Sequence, residues 1–90
     1  YHINKEGNTP YANGTKVTIA GVPGDYTVTD GTITVDNSKL PTDKDDAATV
    51  TVTEDGHKPA TTTTKVPAKL KDATTAVVTG TQDPATGNVT

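Results

Sequence analysis

The stretch of sequence that decides the fold is Tyr26-Thr27-Val28-Thr29-Asp30-Gly31-Thr32-Ile33-Thr34-Val35. Threonines alternate in it with apolar residues, and successive side chains of a β-strand point to opposite faces. Asp30-Gly31 is typical of two-residue hairpin turns, which need positive φ at both central positions. Folding about this turn places Val28 opposite Ile33 and Tyr26 opposite Val35, and a shift of one residue would destroy that match. The turn and the alternation therefore predict the same β-hairpin.

The residues before this hairpin predict a strand and a turn. Thr15–Ala20 alternates in the same way, with Val17 and Ile19 expected to face the core. A turn is expected at Gly21–Asp25, because proline and glycine favour the second and third positions of a type II turn. The strand and the hairpin should then be neighbours.

The second half of the chain predicts another hairpin, between Ala48–Glu54 and Ala60–Val66. A loop of Asp55, Gly56 and His57 would set Val52 opposite Ala60 and Val50 opposite Thr62. Pro59 cannot donate to a ladder, so it is expected beside a loop or an edge. A last strand is predicted at Thr74–Thr79, with Asn88–Thr90 pairing back onto it.

Two segments do not have the alternation of a strand. Asp36–Asp46 is a polar crossover in which Leu40 is expected to pack on the core, and residues 1–14 suit an N-terminal edge strand or a linker. No window has the apolar spacing of a helix. We therefore predict an all-β fold, with residues 15–90 forming an immunoglobulin-like β-sandwich of about seven short antiparallel strands. A small open barrel is the alternative.

Composition argues against several classes of function. The net charge is −3 and the eight positive charges are scattered lysines, which do not form the basic patch of a nucleic-acid-binding protein. No apolar stretch reaches the roughly 20 residues that insertion into a membrane needs. A thin core, two histidines and a single serine favour neither an enzyme nor a cofactor site. Since the chain contains no methionine, we expect it to be a processed chain or part of a longer protein.

Binding is expected at the loops, because loops on a rigid scaffold carry most recognition residues. The three loops are Gly21–Asp25, Asp36–Asp46 and Asp55–Lys58. The residues singled out for binding are Pro23, Asp25, Asp36, Asn37, Asp43, Asp55, His57 and Lys58. The carboxylates of Asp43, Asp45 and Asp46 are weak candidates for calcium, which takes six to eight oxygen ligands. Their spacing matches no EF-hand loop and Lys44 lies among them, so a solvated acidic loop is favoured over a metal site.

Two segments resemble bacterial and phage immunoglobulin-like surface or virion domains of the Big type. Ala48-Thr-Val-Thr-Val-Thr-Glu-Asp-Gly-His-Lys-Pro-Ala-Thr-Thr-Thr-Thr-Lys-Val66 is similar to a "TVTV–xxGYKPAT–TxxV" hairpin of these domains, with His57 where an aromatic residue is frequent. Lys16-Val-Thr-Ile-Ala and Val22-Pro-Gly-Asp-Tyr26 are similar to their opening strands. The absence of a Cys-Trp-Cys framework separates the chain from antibody-type domains.

The resemblance implies a non-catalytic structural or adhesive module on a bacterial cell surface, such as a stalk or adhesin repeat. A phage capsid or tail decoration domain is the alternative, and a secreted carbohydrate-binding module is the third. The last is weakened because Tyr1, Tyr11 and Tyr26 are the only aromatic residues able to stack on sugar rings. The partners implied are neighbouring domains of a larger protein or virion, and a host-surface protein or glycan.

Overall fold

The computed structural model describes all 90 residues and contains four strands. These are β1 (Lys16–Ile19), β2 (Val22–Thr27), β3 (Asp46–Thr53) and β4 (Ala60–Val66), with one 3₁₀ turn at Asn37–Lys39. The strands form one antiparallel sheet in the order β2-β1-β3-β4. The predicted all-β fold is confirmed at this level. The sandwich of about seven strands is not confirmed, because the structure has a single four-stranded sheet and otherwise only isolated bridges.

The core lies on one face of this sheet, as the alternation in β1 and β3 predicts. Val17 lies opposite Val52 and Ile19 opposite Val50 in the β1–β3 ladder, and all four side chains are buried. Opposed residues of an antiparallel pair share a face, so these valines and isoleucines form one apolar surface. The remaining buried apolar residues are Val22, Val28, Ile33, Ala48 and Val66, and Ile3, Tyr11, Tyr26, Val35 and Leu40 are half-buried against them.

The predicted β3–β4 hairpin is confirmed, including its register. Val52 pairs with Ala60 and Val50 with Thr62. Pro59 lies in the loop just before β4, which is an edge strand, so its missing N–H costs no ladder hydrogen bond.

The turn predicted at Gly21–Asp25 is wrong, because the chain already reverses at Ala20-Gly21. Gly21 has φ +80° and Val22 pairs with Ile19 at once. Pro23 and Asp25 therefore belong to β2 and not to a loop. Proline is tolerated there because β2 is the other edge strand and its ladder with β1 is irregular between Val17 and Ile19.

The Asp30-Gly31 turn forms as predicted, with φ of 50° and 75°. Thr29 and Thr32 exchange two backbone hydrogen bonds of 2.9 and 3.0 Å across it. The hairpin ends there, however, and the predicted pairing of Tyr26 with Val35 is wrong, since Tyr26 pairs with Val17 of β1.

Competing partners explain why this hairpin is short. The carbonyl of Thr15 accepts from Val28 N–H at 2.9 Å, so the first arm continues along the chain that precedes β1. On the second arm, Ile33 donates to the carbonyl of Tyr1 at 2.9 Å, and Ile3 donates to the carbonyl of Gly31 at 2.7 Å. Backbone groups of Gly31 and Ile33 are thus hydrogen-bonded to residues 1–3 and are not available to lengthen the hairpin.

The C-terminal residues differ most from the prediction. No strand forms at Thr74–Thr79, and residues 72–80 make no hydrogen bond. Asn88–Thr90 instead pairs with Thr81–Asp83 in a small separate hairpin. The molecule has a long dimension of 76 Å, against 26 and 18 Å in the other two directions. No helix of the structure is long and apolar enough to cross a membrane.

Candidate functional site

The residues predicted to bind a partner do not form one surface. Asp55, His57 and Lys58 lie in the β3–β4 loop, whereas Asp36, Asn37 and Asp43 precede β3 and lie at the opposite end of the sheet. Pro23 and Asp25 lie along the edge strand β2. The β3–β4 loop is thus about one strand length from the segment that precedes β3, and Pro23 and Asp25 lie on neither.

The acidic segment before β3 anchors the chain that follows β4. Asp45 accepts a hydrogen bond from Ala68 N–H at 2.9 Å and lies 3.1 Å from the ammonium of Lys65. These contacts lower the pKa of the Asp45 carboxyl, and the hydrogen bonds from Ser38 lower that of Asp36.

Two further residues of this segment hold the same part of the chain. Asp43 lies 2.7 Å from the ammonium of Lys71, and the side-chain amide of Asn37 makes two hydrogen bonds with the backbone of Leu70. The carboxylates of Asp43, Asp45 and Asp46 thus have separate partners. No group of three metal-ligating side chains comes together anywhere in the chain.

A groove of about 310 Å³ lies between the N-terminal segment and the β3–β4 half of the sheet. We call it the tyrosine groove. One wall is Tyr1, His2, Ile3, Asn4 and Tyr11, the floor is Ile19, Val50 and Val52, and the other wall is Ala60–Thr64. Loop-based reasoning missed this surface.

The composition of β4 explains why the groove stays open. Ala60, Thr62 and Thr64 lie opposite Val52, Val50 and Ala48, so they belong to the core-facing side of the sheet. Small or polar side chains stand there where β1 and β3 carry valine and isoleucine, and the groove is left unfilled. The sequence does contain a signal of this, since the run Thr61–Thr64 has no apolar residues at alternate positions, whereas a half-buried strand would have them.

The hydroxyl groups of two tyrosines are already engaged by the backbone. Tyr1 donates to the carbonyl of Lys65 at 3.0 Å and so connects the N-terminal wall to β4. Tyr26, on the far edge of the sheet, donates to the carbonyl of Pro23 at 2.6 Å. The tyrosine rings can therefore contribute apolar contact, whereas these two hydroxyls are not free to ligate a metal.

Three ionisable side chains form a row beside Tyr11. The ammonium of Lys5 lies 2.8 Å from one carboxylate oxygen of Glu54, and Nδ1 of His57 lies 3.6 Å from the other. The same ammonium is 5.5 Å from the centroid of the Tyr11 ring, a distance suited to a cation–π contact. The hydrogen bond between Lys5 and Glu54 raises the pKa of Lys5 and lowers that of Glu54. We call Lys5, Glu54 and His57 the ionic row.

Comparison with protein families gives one match. The model described as "Heme-binding protein Shr-like, Hb-interacting domain" matches residues 5–67, which is more than half of the chain. The matched residues include all four strands, Tyr11 and the ionic row. Comparisons with curated proteins and with solved structures find no significant match.

This match overturns the function expected from sequence. A generic adhesive or stalk module, a phage decoration domain and a carbohydrate-binding module were expected, and the matched family is instead described by its interaction with Hb. The expectation rested on strand and turn motifs that report a fold and not a binding partner. The resemblance to bacterial immunoglobulin-like modules stays a prediction.

Proposed function

The chain belongs to the family of Shr-like Hb-interacting domains, and we propose that it binds haemoglobin through the tyrosine groove and the adjoining ionic row. It would act as a surface domain of a bacterium, with a host protein as its partner and without catalysis. The observation that carries the proposal is the family match across the whole sheet.

Tyrosine, tryptophan and arginine dominate the binding energy of protein interfaces. Because this chain has neither tryptophan nor arginine, its three tyrosines are the natural anchors. Two of them, Tyr1 and Tyr11, line the tyrosine groove, while Tyr26 lies at the other edge of the sheet. Apolar side chains on the floor and polar side chains around it match the organisation of a protein interface, with an apolar centre and a polar rim.

The groove alone is too small for a stable protein complex, because a standard interface buries about 800 Å² on each partner. The contact must therefore extend over neighbouring residues. The ionic row borders Tyr11 and continues into the β3–β4 loop, where Asp55, His57 and Lys58 are exposed. This extension supports a role in binding for one of the three loops expected from sequence.

The family description raises the question of whether this domain could hold a haem. The hydroxyls of Tyr1 and Tyr26 are bound to the backbone, so the iron ligands that the groove could offer are His2 and Tyr11, and the space beside them is small for a haem. Haem iron is ligated by histidine, cysteine, methionine or tyrosine, and the chain lacks cysteine and methionine. His57 is exposed and its Nδ1 lies 2.9 Å from the carbonyl of Asp55. His2 lines the groove but is itself exposed, and a space of about 310 Å³ is at the lower limit even for small-molecule pockets. The contact we propose is therefore with the protein surface of haemoglobin.

Two tyrosine variants test the proposal. Tyr11→Ala removes the anchor of the groove and is expected to weaken haemoglobin binding at least about tenfold, the size of a typical hot-spot loss. Tyr26→Ala is the matched control, because Tyr26 is also half-buried at the periphery of the core but lies at the opposite edge. It is expected to leave affinity nearly unchanged. Affinity is measured by titration calorimetry, with thermal melting to verify that both variants are folded.

The results separate the family assignment from the location of the site. Wild-type protein that does not bind haemoglobin would contradict the function itself. Equal losses in the two variants would contradict the tyrosine groove as the binding surface while leaving haemoglobin binding intact.

A further inference from the structure

The outer edge of β4 is a strand edge without a partner. Ala20 N–H donates to the carbonyl of Thr49 at 2.9 Å, so the backbone groups of Thr49 point toward β1. Directions alternate along a strand, and Ala48, Val50 and Val52 therefore point toward β4. Their partners in β4 are Thr64, Thr62 and Ala60.

The intervening residues Thr61, Thr63 and Lys65 must then direct their N–H and C=O groups away from the sheet. The hydrogen bond from the Tyr1 hydroxyl to the carbonyl of Lys65 agrees with this direction. No hydrogen bond from the rest of the chain reaches the outward groups of Thr61 or Thr63. Edges of this kind are templates for another strand unless proline, inward charge or a covering element blocks them. None of these lies between Ala60 and Thr64.

The same chain contains a strand-like segment without a partner. Thr74–Thr79 has the sequence Thr-Thr-Ala-Val-Val-Thr, in which five of six residues are β-branched. Val77 is 85% exposed and Val78 is 93% exposed. Because the segment makes no hydrogen bond, it has the composition of a strand and none of its stabilising contacts.

The chain just before this segment is anchored by the residues that precede β3. Asp43, Asp45 and Asn37 bind Lys71, Ala68 and Leu70 respectively, at the end of the sheet where β3 begins. Beyond this anchor, every residue from Lys71 to Thr79 is exposed. The segment therefore lies where a neighbouring molecule can reach it more easily than its own β4.

We propose that Thr74–Thr79 of one molecule adds as a strand to the free edge of β4 in a second copy of this chain. The unpaired groups of Thr61 and Thr63 would be satisfied by the backbone of the added segment. Its side chains alternate, so one of the two adjacent valines faces the core side of the sheet, where Ala60 and Thr62 leave the tyrosine groove unfilled. The exposed valine and the open groove thus complement each other.

This association does not rest on haemoglobin binding, but it would affect it. A strand added at β4 covers the wall of the tyrosine groove formed by Ala60–Thr64. Self-association and haemoglobin binding at the groove should therefore compete, and haemoglobin should shift the chain toward the monomer.

Two variants of the full chain separate the donor strand from the acceptor edge. Thr63→Pro removes an outward N–H from β4 without removing a bond of the β3–β4 ladder. The double variant V77P/V78P places proline at two consecutive positions, so one of them faces the acceptor edge in either register. Since Thr74–Thr79 is unpaired in the monomer, V77P/V78P is not expected to affect folding.

Sedimentation velocity over a range of concentrations measures the association. Wild-type protein is expected to self-associate, and each variant is expected to weaken this by about tenfold or more, as loss of a ladder hydrogen bond together with a steric clash implies. A mixture of the two variants should regain a 1:1 complex, because V77P/V78P retains a normal edge and Thr63→Pro retains a normal donor strand. Complementation of this kind is specific to strand donation.

Three results would overturn the proposal. The first is wild-type protein that remains monomeric at every concentration. Slow hydrogen exchange of the Thr74–Thr79 amides in that monomer would show that the segment pairs with its own sheet. The second is V77P/V78P that associates as strongly as wild type. This result contradicts the proposal even if Thr63→Pro fails to fold. The third is a mixture that remains monomeric although both variants are folded.

Discussion

At the scale of single residues, Val28 illustrates how a small core depends on individual side chains. Its side chain is fully buried at 0% exposure, between the end of β2 and the Asp30-Gly31 turn. Only nine apolar residues form the buried core, so each one carries a large share of the hydrophobic stabilisation. A domain of this size has a free energy of unfolding on the order of 5–10 kcal/mol.

Val28→Asp is therefore expected to lower the free energy of unfolding by about 3–5 kcal/mol or to unfold the domain, since it buries an unpaired charge. Thr27→Lys is the control, because Thr27 is the preceding residue and is exposed. It should change stability by less than about 0.5 kcal/mol. Urea denaturation followed by circular dichroism measures both, and equal damage would show that the inward and outward faces are assigned wrongly.

The ionic row makes stability depend on pH. The hydrogen bond from Lys5 lowers the pKa of Glu54 from its ordinary value of 4.5, and hydrogen bonds from Ala68 and Ser38 lower those of Asp45 and Asp36 from 3.8. A carboxyl whose pKa is lowered by folding stabilises the folded state fully above its ordinary pKa. That stabilisation is lost as the pH falls through the lowered value.

The melting temperature should therefore decrease as the pH is lowered from about 5 toward 2. Glu54→Gln should reduce this decrease, because it removes one of the responsible carboxyls. Glu6→Gln should leave the profile unchanged, since Glu6 takes part in no ion pair. The comparison is made by thermal melting at several pH values, and identical profiles for Glu54→Gln and wild type would rule out a contribution from the ionic row.

At the scale of elements, β4 combines two properties that strands normally avoid. It is an edge strand with outward backbone groups, and its core-facing side carries alanine and threonine in place of larger apolar residues. The missing apolar volume comes from the run of four threonines, which suits β-structure but fills little apolar space. The free edge comes from the position of β4 at the end of the sheet.

Filling the groove should stabilise the sheet and weaken binding. Thr62→Ile adds apolar surface opposite Val50 and is expected to raise the free energy of unfolding by about 1 kcal/mol, the value of one or two buried methylene groups. The same change should weaken haemoglobin binding, because it occupies the tyrosine groove. Thr49→Ile, on the opposite face of the sheet, should do neither. Unchanged haemoglobin affinity in a more stable Thr62→Ile protein would place the binding surface elsewhere.

At the scale of the whole molecule, the body is a single four-stranded sheet, and the tyrosine groove on it measures only about 310 Å³. The proposed contact with the protein surface of haemoglobin follows from that shape, because the sheet offers no enclosed site for a large planar ligand. Free haem titrated into the chain is expected to give no saturable 1:1 change in its absorption spectrum, and His2→Ala should behave like wild type. A saturable 1:1 spectrum that His2→Ala or Tyr11→Ala abolishes would reveal a haem site in the groove and contradict the proposed mode of binding.

The sequence by itself determined the parts of this protein that depend on neighbouring residues. The strands β1, β3 and β4, the β3–β4 register and the Asp30-Gly31 turn follow from alternation and turn chemistry, which act over a few residues. The Thr61–Thr64 run is also visible in the sequence, but the groove beside it is not.

Only the tertiary structure decided how distant segments compete for the same partners. Residues 1–3 take the hydrogen bonds of Gly31 and Ile33, Lys5 pairs with Glu54, and Thr74–Thr79 is left without a partner despite its strand composition. These outcomes depend on which segment pairs most favourably with each backbone edge, and local periodicity contains no information on that. The tyrosine groove belongs to the same class, since its two walls are about fifty residues apart in the chain and meet only when the sheet has formed.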